Sequence, residues 1–452
     1  MSPTTKTASS SLVRVVGGTA LLKVVVMGVA GVFGLLTSRM IIQNFGTDAY
    51  AQYGLLASFP TLLPFADLGI AAVVINAVAG ADDVRKDQYA RNSITTAFRI
   101  LIVAGAILMT IALVITLFGW WPAILGEGLT AGGPLAAFLC LAIFGVVLPW
   151  TVGQRVLVGL HRTGSQVAAQ AVVAPFMFAS VGILVLLSAP VGDYLATLTY
   201  IGASLVSVIC LIVAGRAIKP QLGRAIREIP RIKSVPSLPV LNLAWPNLIQ
   251  MIALPIAMQT DRLLLSHLTN GDELARYNLS SQLFGMVLQA IAAAGIALWP
   301  IYARARARKS IESPLKPMLW FMAAGLALAL ALAFLSPYIA QFVSDGQIKL
   351  DFWLIAGFVV FVTLQAAKYP LGMYMTDKRG LVFQVPPILI MVPFNLGISW
   401  WLIGVVGAGG PIIGSAISVL LLQVIPNFVY VRRDLKRRAV EAEAEAEAEV
   451  RS

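Results

Sequence analysis

Seven ionisable side chains lie inside long apolar stretches of this 452-residue sequence, five of them basic and two acidic. They are Lys23, Arg39, Arg99, Arg262, Lys368, Asp67 and Asp261. An ionisable group at membrane depth is costly, so each is a candidate for substrate binding or ion coupling unless its side chain reaches the interface. The excess of basic groups favours an anionic substrate, because lysine and arginine pair with phosphate and carboxylate oxygens.

The distance of each group from the end of its apolar stretch determines which roles the group can have. Asp67 lies near the middle of a stretch and is too short to reach the interface, so it is a coupling candidate together with Asp261. Lys368 lies about two turns from the end of its stretch. Three roles are open to it: its side chain reaches the interface, it pairs with an acid such as Asp67, or it binds an anionic headgroup. Lys23 either reaches the interface or attracts substrate at the cytoplasmic entry.

Polar and small residues form a stripe on one apolar segment, within an arc of about 80° on an ideal helix. The stripe consists of Asn247, Gln250, Ala257 and Asp261. A weaker pair on the next segment, Gln282 and Gln289, is seven residues apart. These faces either pack against other helices through hydrogen bonds or line a substrate cavity. The candidate substrate-binding set combines them with Arg39, Arg262 and Lys368.

The composition is that of a membrane protein. Hydrophobic residues make up 58% of the chain and charged residues 12%, where soluble domains carry about 25%. A soluble enzyme, a secreted disulfide protein and a disordered chain are excluded. The net charge of +12 is assigned to loops beside anionic lipid and not to nucleic acid. Two cysteines and two histidines make a disulfide framework or a metal site improbable, and no cofactor is expected.

Twelve stretches reach the roughly 20 apolar residues that a membrane helix needs. They are 18–42, 51–80, 93–118, 133–154, 167–188, 194–214, 241–265, 277–302, 318–342, 352–375, 381–403 and 412–431. With a cytoplasmic N-terminus, 26 of the 33 basic residues fall in cytoplasmic segments and only Arg276 and Lys349 fall outside. The sequence therefore predicts an all-α polytopic membrane protein with 12 transmembrane helices and both termini in the cytoplasm.

A basic central loop divides the predicted helices into two sets of six. The predicted division is a tail at 1–17, an N-lobe at 18–214, a linker at 215–240, a C-lobe at 241–431 and a tail at 432–452. The basic start of the second tail favours contact with anionic lipid, and its Glu-Ala repeat predicts a solvated end. The longest predicted external loop, 119–132, is too short for a catalytic domain.

The two lobes contain copies of one segment. The copies read TSRMIIQNFGTDAYAQYGLLASF (37–59) and TDRLLLSHLTNGDELARYNLSSQL (260–283). Arg39 aligns with Arg262, and after a shift of one residue in the loop Tyr53 aligns with Tyr277. Six predicted helices separate the copies, so both have the same orientation. This indicates lobes related by a parallel pseudo-two-fold repeat, as in transporters that hold the substrate between two lobes and rock them.

The first copy and the run PFADLGIAAVVI (64–75) resemble the start of polysaccharide flippases of the multidrug/oligosaccharidyl-lipid/polysaccharide (MOP) superfamily. The second copy resembles their seventh and eighth helices. The resemblance implies the fold shared with multidrug and toxin extrusion (MATE) proteins, in which helices 1, 2, 7 and 8 line a central cavity. It implies export of a polyprenyl-pyrophosphate-linked oligosaccharide across a bacterial or archaeal cytoplasmic membrane. The implied partners are this glycan, membrane lipids, a coupling ion (H⁺ or Na⁺) and other polysaccharide-assembly proteins.

Four functions fit these features to different degrees. The five-to-two excess of basic groups favours the flippase over a MATE-type cation-coupled antiporter, in which acidic cavity residues would bind cationic drugs. A membrane glycan polymerase or transferase would need a larger external loop and a catalytic constellation, and the sequence shows neither. A major-facilitator transporter also has parallel halves, but GADDVRKDQYARN (80–92) lacks the expected glycine-bracketed signature. We therefore expect a transporter and not an enzyme.

Overall fold

The computed structural model describes residues 4–62, 70–126, 129–231, 260–296, 298, 301–302, 305–306 and 310–451. Within these ranges the chain is helical and contains no strand. It divides into two compact units, residues 1–248 (unit 1) and 249–452 (unit 2). The predicted lobe boundaries stay predictions, because the end of the linker and the start of the C-lobe fall at 232–259, outside the described residues.

Unit 1 has eleven α-helices in its described residues. They are α1 (Thr4–Ala57), α2 (Phe59–Leu62), α3 (Ile70–Ala79), α4 (Gln88–Leu117), α5 (Trp121–Leu125), α6 (Gly133–Val147), α7 (Val152–Gly159), α8 (Thr163–Gln170), α9 (Val173–Leu186), α10 (Leu195–Ala217) and α11 (Gln221–Glu228). Two 3₁₀ turns, Leu148–Thr151 and Gly192–Tyr194, lie between them. Helix α1 extends beyond the predicted end at residue 42 and is broken at Gly46, where φ is 90°. Glycine tolerates this positive φ because it has no Cβ.

Unit 2 has seven α-helices in its described residues. They are α12 (Asp261–Leu268), α13 (Gly271–Ile296), α14 (Leu315–Ser344), α15 (Phe352–Tyr374), α16 (Lys378–Val406), α17 (Gly409–Val419) and α18 (Ile425–Arg451). One π-helical turn, Leu420–Val424, joins α17 to α18. Such turns insert an extra residue into a helix and occur frequently at functional sites.

Ten helical segments of the described chain are long and apolar enough to cross a membrane, so this is a multi-pass membrane protein. They are Val25–Ala57, Gln88–Leu117, Gly133–Gly159, Thr163–Leu186, Gly192–Ala217, Gly271–Ile296, Leu315–Ser344, Phe352–Tyr374, Arg379–Val406 and Gly409–Val440. The two other predicted spans, 51–80 and 241–265, include residues 63–69 and 241–259, which lie outside the described residues. The count of twelve therefore stays a prediction.

The core of unit 1 is apolar and tightly packed, with buried side chains from α3, α4, α7, α10 and α11. Helices α4 and α6 touch backbone to backbone, since a Cβ on Gly105 would lie 2.2 Å from the Gly145 carbonyl oxygen. Small residues permit such contact between membrane helices. Arg99 of α4 donates to the carbonyl oxygens of Glu228 at 2.7 Å and Ile229 at 2.8 Å. Arg99 thus caps the C-terminal end of α11, which gives it a structural role.

Candidate functional site

The buried carboxylate of Asp261 is the centre of a polar site inside unit 2. Asp261 is the first residue of α12 and is 2% exposed. The Tyr277 hydroxyl on α13 donates to its Oδ2 at 2.6 Å, and the Ser415 hydroxyl on α17 lies beside the same carboxylate. Its Oδ1 is buried and accepts no hydrogen bond in the part of the chain described. Because an unsatisfied buried carboxylate is costly, this geometry suits a group that takes up a proton or a metal cation.

Four neutral oxygen-bearing side chains form a cluster between α16 and α17. Asn395 and Ser399 come from α16, and Ser415 and Ser418 come from α17; all four are buried. The three hydroxyl oxygens lie 3.2–3.4 Å from Asn395 Oδ1, and the Ser418 hydroxyl has a shorter acceptor, the Gly414 carbonyl oxygen at 2.7 Å. We call these four residues together with Asp261 the oxygen cluster. Carboxylate, amide and hydroxyl oxygens are of the kind that hard cations prefer as ligands.

Glycines bring α16 and α17 close enough to form the oxygen cluster. A Cβ on Gly414 would lie 2.3 Å from Ser399 Oγ, and one on Gly410 would lie 2.5 Å from the Ile403 backbone nitrogen. Gly410 and Gly414 are one turn apart, which is the small-residue spacing that lets membrane helices approach closely. The side chains of the cluster are therefore held by backbone packing and not by long flexible rotamers.

Arg262 is fixed to the neighbouring helix α13. Its Nε donates to Asn278 Oδ1 at 2.8 Å and its Nη2 donates to Ser281 Oγ at 3.0 Å. Its guanidinium carbon lies 5.8 Å from the centre of the Tyr277 ring, within the range of a cation–π contact. Arg262 and Asp261 thus both contact α13, and Tyr277 is in contact with both.

Arg39 lies in unit 1 on α1 and is half-buried. When the amide oxygen of Gln43 faces it, Gln43 Oε1 accepts from Arg39 Nη2 at 3.2 Å and from Nε at 3.3 Å. The two residues are one helical turn apart, so this bond stays within a single helix. The two hydrogen bonds of Arg262, in contrast to this one, reach another helix.

Lys368 lines a cavity of about 240 Å³ inside unit 2. It lies in α15, six residues before the end of that helix, and forms no ion pair with any described carboxylate. Gln384, Gln423 and Asn427 are among the polar residues that share the cavity wall. This cavity and the oxygen cluster are the two polar features of unit 2 that sequence-predicted residues occupy.

The remaining predicted residues do not join these features. Gln282 is half-buried and Gln289 is exposed on α13, and neither takes part in the hydrogen bonds of Asp261 or Arg262 that are described above. Three others, Asn247, Gln250 and Asp67, lie outside the described residues, as does the side chain of Lys23. Their roles stay predictions.

Sequence reasoning missed five residues that build the site. They are Tyr277, Asn395, Ser399, Ser415 and Ser418. A signal was present, since Asn395 and Ser399 are one turn apart in an apolar helix and two serines follow the glycine pair of α17. Serine in a membrane helix usually bonds to its own backbone, so its hydroxyls alone do not indicate a site. The site is indicated only by the approach of three hydroxyls to Asn395 and of one of them, that of Ser415, to Asp261.

Three comparisons with known proteins bear on identity. Residues 12–306 match the model of the family described as polysaccharide biosynthesis protein. No curated protein matches the chain. Among solved structures, an inward-facing multidrug resistance MATE family transporter of the MOP superfamily is similar, with a TM-score of 0.67 and 14% identity, covering 93% of this chain and 99% of that one. The lipid II flippase MurJ in an inward closed conformation is also similar, with a TM-score of 0.65 and 11% identity, covering 93% and 90%.

The structural similarities establish the fold, and the family match spans well over half of the chain. Together they agree with the long apolar helices and with the resemblance in the repeated segment. The chain is therefore a member of the polysaccharide biosynthesis protein family, with the transporter fold of the MOP superfamily.

Proposed function

We propose that the protein is a flippase that moves a polyprenyl-pyrophosphate-linked oligosaccharide from the inner to the outer leaflet by alternating access. The match of residues 12–306 to the polysaccharide biosynthesis family is the single observation that carries this proposal. The fold supports it, because the fold is shared with a protein named as a lipid II flippase. The resulting glycan is a precursor of a cell-surface polysaccharide.

The basic side chains support an anionic cargo. A headgroup with about two negative charges gains roughly 4–5 kcal/mol per 100 mV when it moves outward across an inside-negative membrane. It leaves water only if fixed cations lower the barrier, since an unpaired anion in a medium of low dielectric constant is prohibitively unstable. Arg39, Arg262 and Lys368 are the cations assigned to this task, with Lys23 at the entry. Arginine adds planar bidentate geometry that fits phosphate oxygens.

The oxygen cluster supports ion coupling within unit 2. Asp261 Oδ1 has no described hydrogen-bond donor, and the carboxylate lies beside the Ser415 hydroxyl, which is itself bonded to Asn395. A proton or a sodium ion bound there neutralises the carboxylate, and its arrival or departure changes the charge buried among α12, α13, α16 and α17. Because a ligand shifts a conformational equilibrium only through its differential affinity, such a site couples the ion to transport if one conformation binds it better. Asp67 stays the second coupling candidate.

A cation-coupled drug antiporter is the second candidate function. The buried acid Asp261 favours it, because an acidic group attracts cationic drugs as well as coupling ions. The similarity to a MATE transporter is compatible with it at the level of the fold. The two functions differ in the sign of the cargo, and the basic groups distinguish them.

Deletion of the gene in the native host tests the proposal. We expect deletion to cause lipid-linked glycan to accumulate, and expression of the wild-type chain to restore export. A triple variant (Arg39→Gln, Arg262→Gln and Lys368→Met) should insert at normal levels and restore no export, because it has lost the cations that receive the headgroup. The matched control Lys349→Met neutralises an exposed lysine and should restore export fully.

Two results would contradict the flippase. One is full export by a stably inserted triple variant, which would show that these cations are not needed to receive an anionic headgroup. The other is a deletion strain that accumulates no glycan and becomes sensitive to cationic drugs, which would favour the antiporter with Asp67 and Asp261 as coupling sites.

A further inference from the structure

The cavity beside Lys368 has a wall of a defined composition. Its volume is about 240 Å³, and it lies where α15, α16, the π-helical turn and the start of α18 meet. Apolar side chains such as Leu381, Ile388 and Leu422 form much of the wall. The described residues that line the cavity all belong to unit 2.

The ammonium group of Lys368 has no counterion among the described residues. No described carboxylate lies within 4 Å of it, and it donates no hydrogen bond to a described residue. Six residues separate it from the end of α15, about 9 Å along a helix axis. A cation at that depth in a largely apolar wall is costly unless water or a ligand solvates it. A positive charge in a confined cavity repels cations and attracts anions.

Side-chain amides add hydrogen-bond donors to the same wall. Asn427 is 4% exposed, lines the cavity and makes no hydrogen bond to any described residue. Gln423 is buried on the π-helical turn, and its amide donates to the Met391 thioether at 2.9 Å. A thioether is a weak acceptor, so an oxyanion would be a better partner for that amide. Gln384 differs, because its amide already donates to the backbone carbonyls of Met375 and Gly380.

From this arrangement we propose that the cavity binds a phosphate-type oxyanion, with Lys368 supplying the charge and Asn427 and Gln423 supplying amide donors. Phosphate presents several acceptor oxygens and no donor when fully ionised, which fits one ammonium and two amide groups. Either the pyrophosphate of a lipid-linked substrate or the phosphate of a phospholipid headgroup provides this chemistry. The inference rests on the proposed function for the first source and deepens it by naming the group that Lys368 receives.

Binding to the purified full-length protein in a neutral detergent tests the cavity. The probes are geranyl pyrophosphate and inorganic pyrophosphate, titrated by calorimetry. We expect the wild-type protein to bind them and Lys368→Met to bind at least about tenfold more weakly, because charge-assisted hydrogen bonds are the strong ones. Asn427→Leu should weaken binding severalfold, and Lys368→Arg should retain most of it because the charge remains. Lys349→Met is the matched control and should bind as the wild type does.

The outcomes separate the pocket from the proposed function. Equal binding by the wild type and Lys368→Met, or no binding of either probe by a folded wild-type protein, would overturn the pocket. Export is scored separately in the deletion strain. If Lys368→Met loses export but binds pyrophosphate as the wild type does, the pocket is contradicted and the proposed flippase function is not. If Lys368→Met unfolds, the other two variants still test the pocket. The proposal requires Lys368→Arg to bind pyrophosphate and Asn427→Leu to bind it more weakly than the wild type does.

A second arm assigns the source of the phosphate. The protein is placed in vesicles of phosphatidylcholine with or without phosphatidylglycerol, and the lipids that it retains are measured by native mass spectrometry. Retention of phosphatidylglycerol by the wild type but not by Lys368→Met supports the pocket and assigns it to a phospholipid. Pyrophosphate binding without such retention supports the pocket and assigns it to the lipid-linked substrate.

Discussion

The two copies of the repeated segment, residues 37–59 and 260–283, differ in a buried acid and in the partners of the aligned tyrosine and arginine. Asp261 in the second copy aligns with Ser38 in the first, and both are buried. Tyr277 donates to Asp261, whereas the aligned Tyr53 pairs with Thr199. The same segment therefore carries a buried acid in unit 2 and a neutral hydroxyl in unit 1. A repeated scaffold thus has its candidate ion chemistry in one copy only.

The arginines of the two copies also have different partners. Arg262 bonds to Asn278 and Ser281, and the positions aligned with these two in unit 1 are Gly54 and Ala57, which have no polar side-chain atoms. Arg39 accordingly bonds to Gln43 on its own helix. The comparison indicates that Arg262 has a structural task, the bonding of α12 to α13, in addition to any substrate contact.

The largest expected effect comes from removing the acid that distinguishes the copies. Asp261→Asn should abolish ion-driven transport, because the asparagine keeps the shape and the Tyr277 contact but has no charge to bind a proton or cation. Stability should stay equal or rise, since an unsatisfied buried charge is lost. Transport in proteoliposomes and thermal unfolding in detergent measure the two effects. Asp48→Asn, an exposed acid of the first copy, is the control and should transport normally. Normal transport by Asp261→Asn would mean that the two copies do not differ in ion coupling.

A methyl group added between α16 and α17 should disturb the oxygen cluster. Gly414→Ala places a methyl group 2.3 Å from Ser399 Oγ and should destabilise the protein by about 1–3 kcal/mol through overpacking. It should also weaken the dependence of transport on the coupling ion. Gly404→Ala in α16 meets open space and should be neutral or stabilising by up to about 1 kcal/mol. Unfolding in mixed micelles gives both values, and equal stability of the two variants would refute the close packing.

Substitution of the aligned tyrosines, Tyr277 and Tyr53, tests whether Asp261 makes its hydrogen-bond donor more important for stability. Tyr277→Phe removes the donor to Asp261 Oδ2 and should destabilise the protein by about 1–3 kcal/mol, because a charged acceptor is left buried without it. Tyr53→Phe loses only a contact with a threonine hydroxyl and should have the smaller effect, about 0.5–1.5 kcal/mol. The difference between the two, measured by unfolding in mixed micelles, should vanish in the Asp261→Asn background. A difference that persists there would show that the tyrosines respond to something other than the acid.

The smallest expected effect concerns arginine geometry. Arg262→Lys keeps the charge but cannot reach Asn278 and Ser281 together, so it should destabilise the protein by about 1 kcal/mol. Arg39→Lys should destabilise the protein less than Arg262→Lys does, because a lysine still donates to Gln43 one turn away. Both variants should keep partial export if charge matters more than geometry. Unfolding in mixed micelles and complementation measure these effects, and a larger destabilisation by Arg39→Lys would reverse the comparison.

Sequence patterns predicted the parts of the site that depend on one helix or one repeat. Apolar length predicted the long membrane helices, the aligned arginines directed attention to Arg262, and the polar stripe directed it to Asp261. Convergence across distant segments was not predictable, because Asp261 and Ser415 are separated by more than 150 residues and nothing local marks their contact. Arg99 shows the same limit, since its helix-capping role depends on α11, far away in the chain. Gly46 shows a second limit of sequence-based prediction, because the break in α1 depends on the backbone conformation of this one residue.

Translocation of a defined lipid by the purified protein tests the central claim most directly. The protein is reconstituted into liposomes with a fluorescent short-chain polyprenyl-pyrophosphate oligosaccharide, and an impermeant quencher reports which leaflet holds the label. The account predicts that the wild type moves the label between leaflets, faster when a potential drives the anion in that direction, and that the triple variant Arg39→Gln, Arg262→Gln and Lys368→Met does not. A wild-type protein that leaves this lipid in place and transports a cationic dye in exchange for H⁺ or Na⁺ would contradict the account.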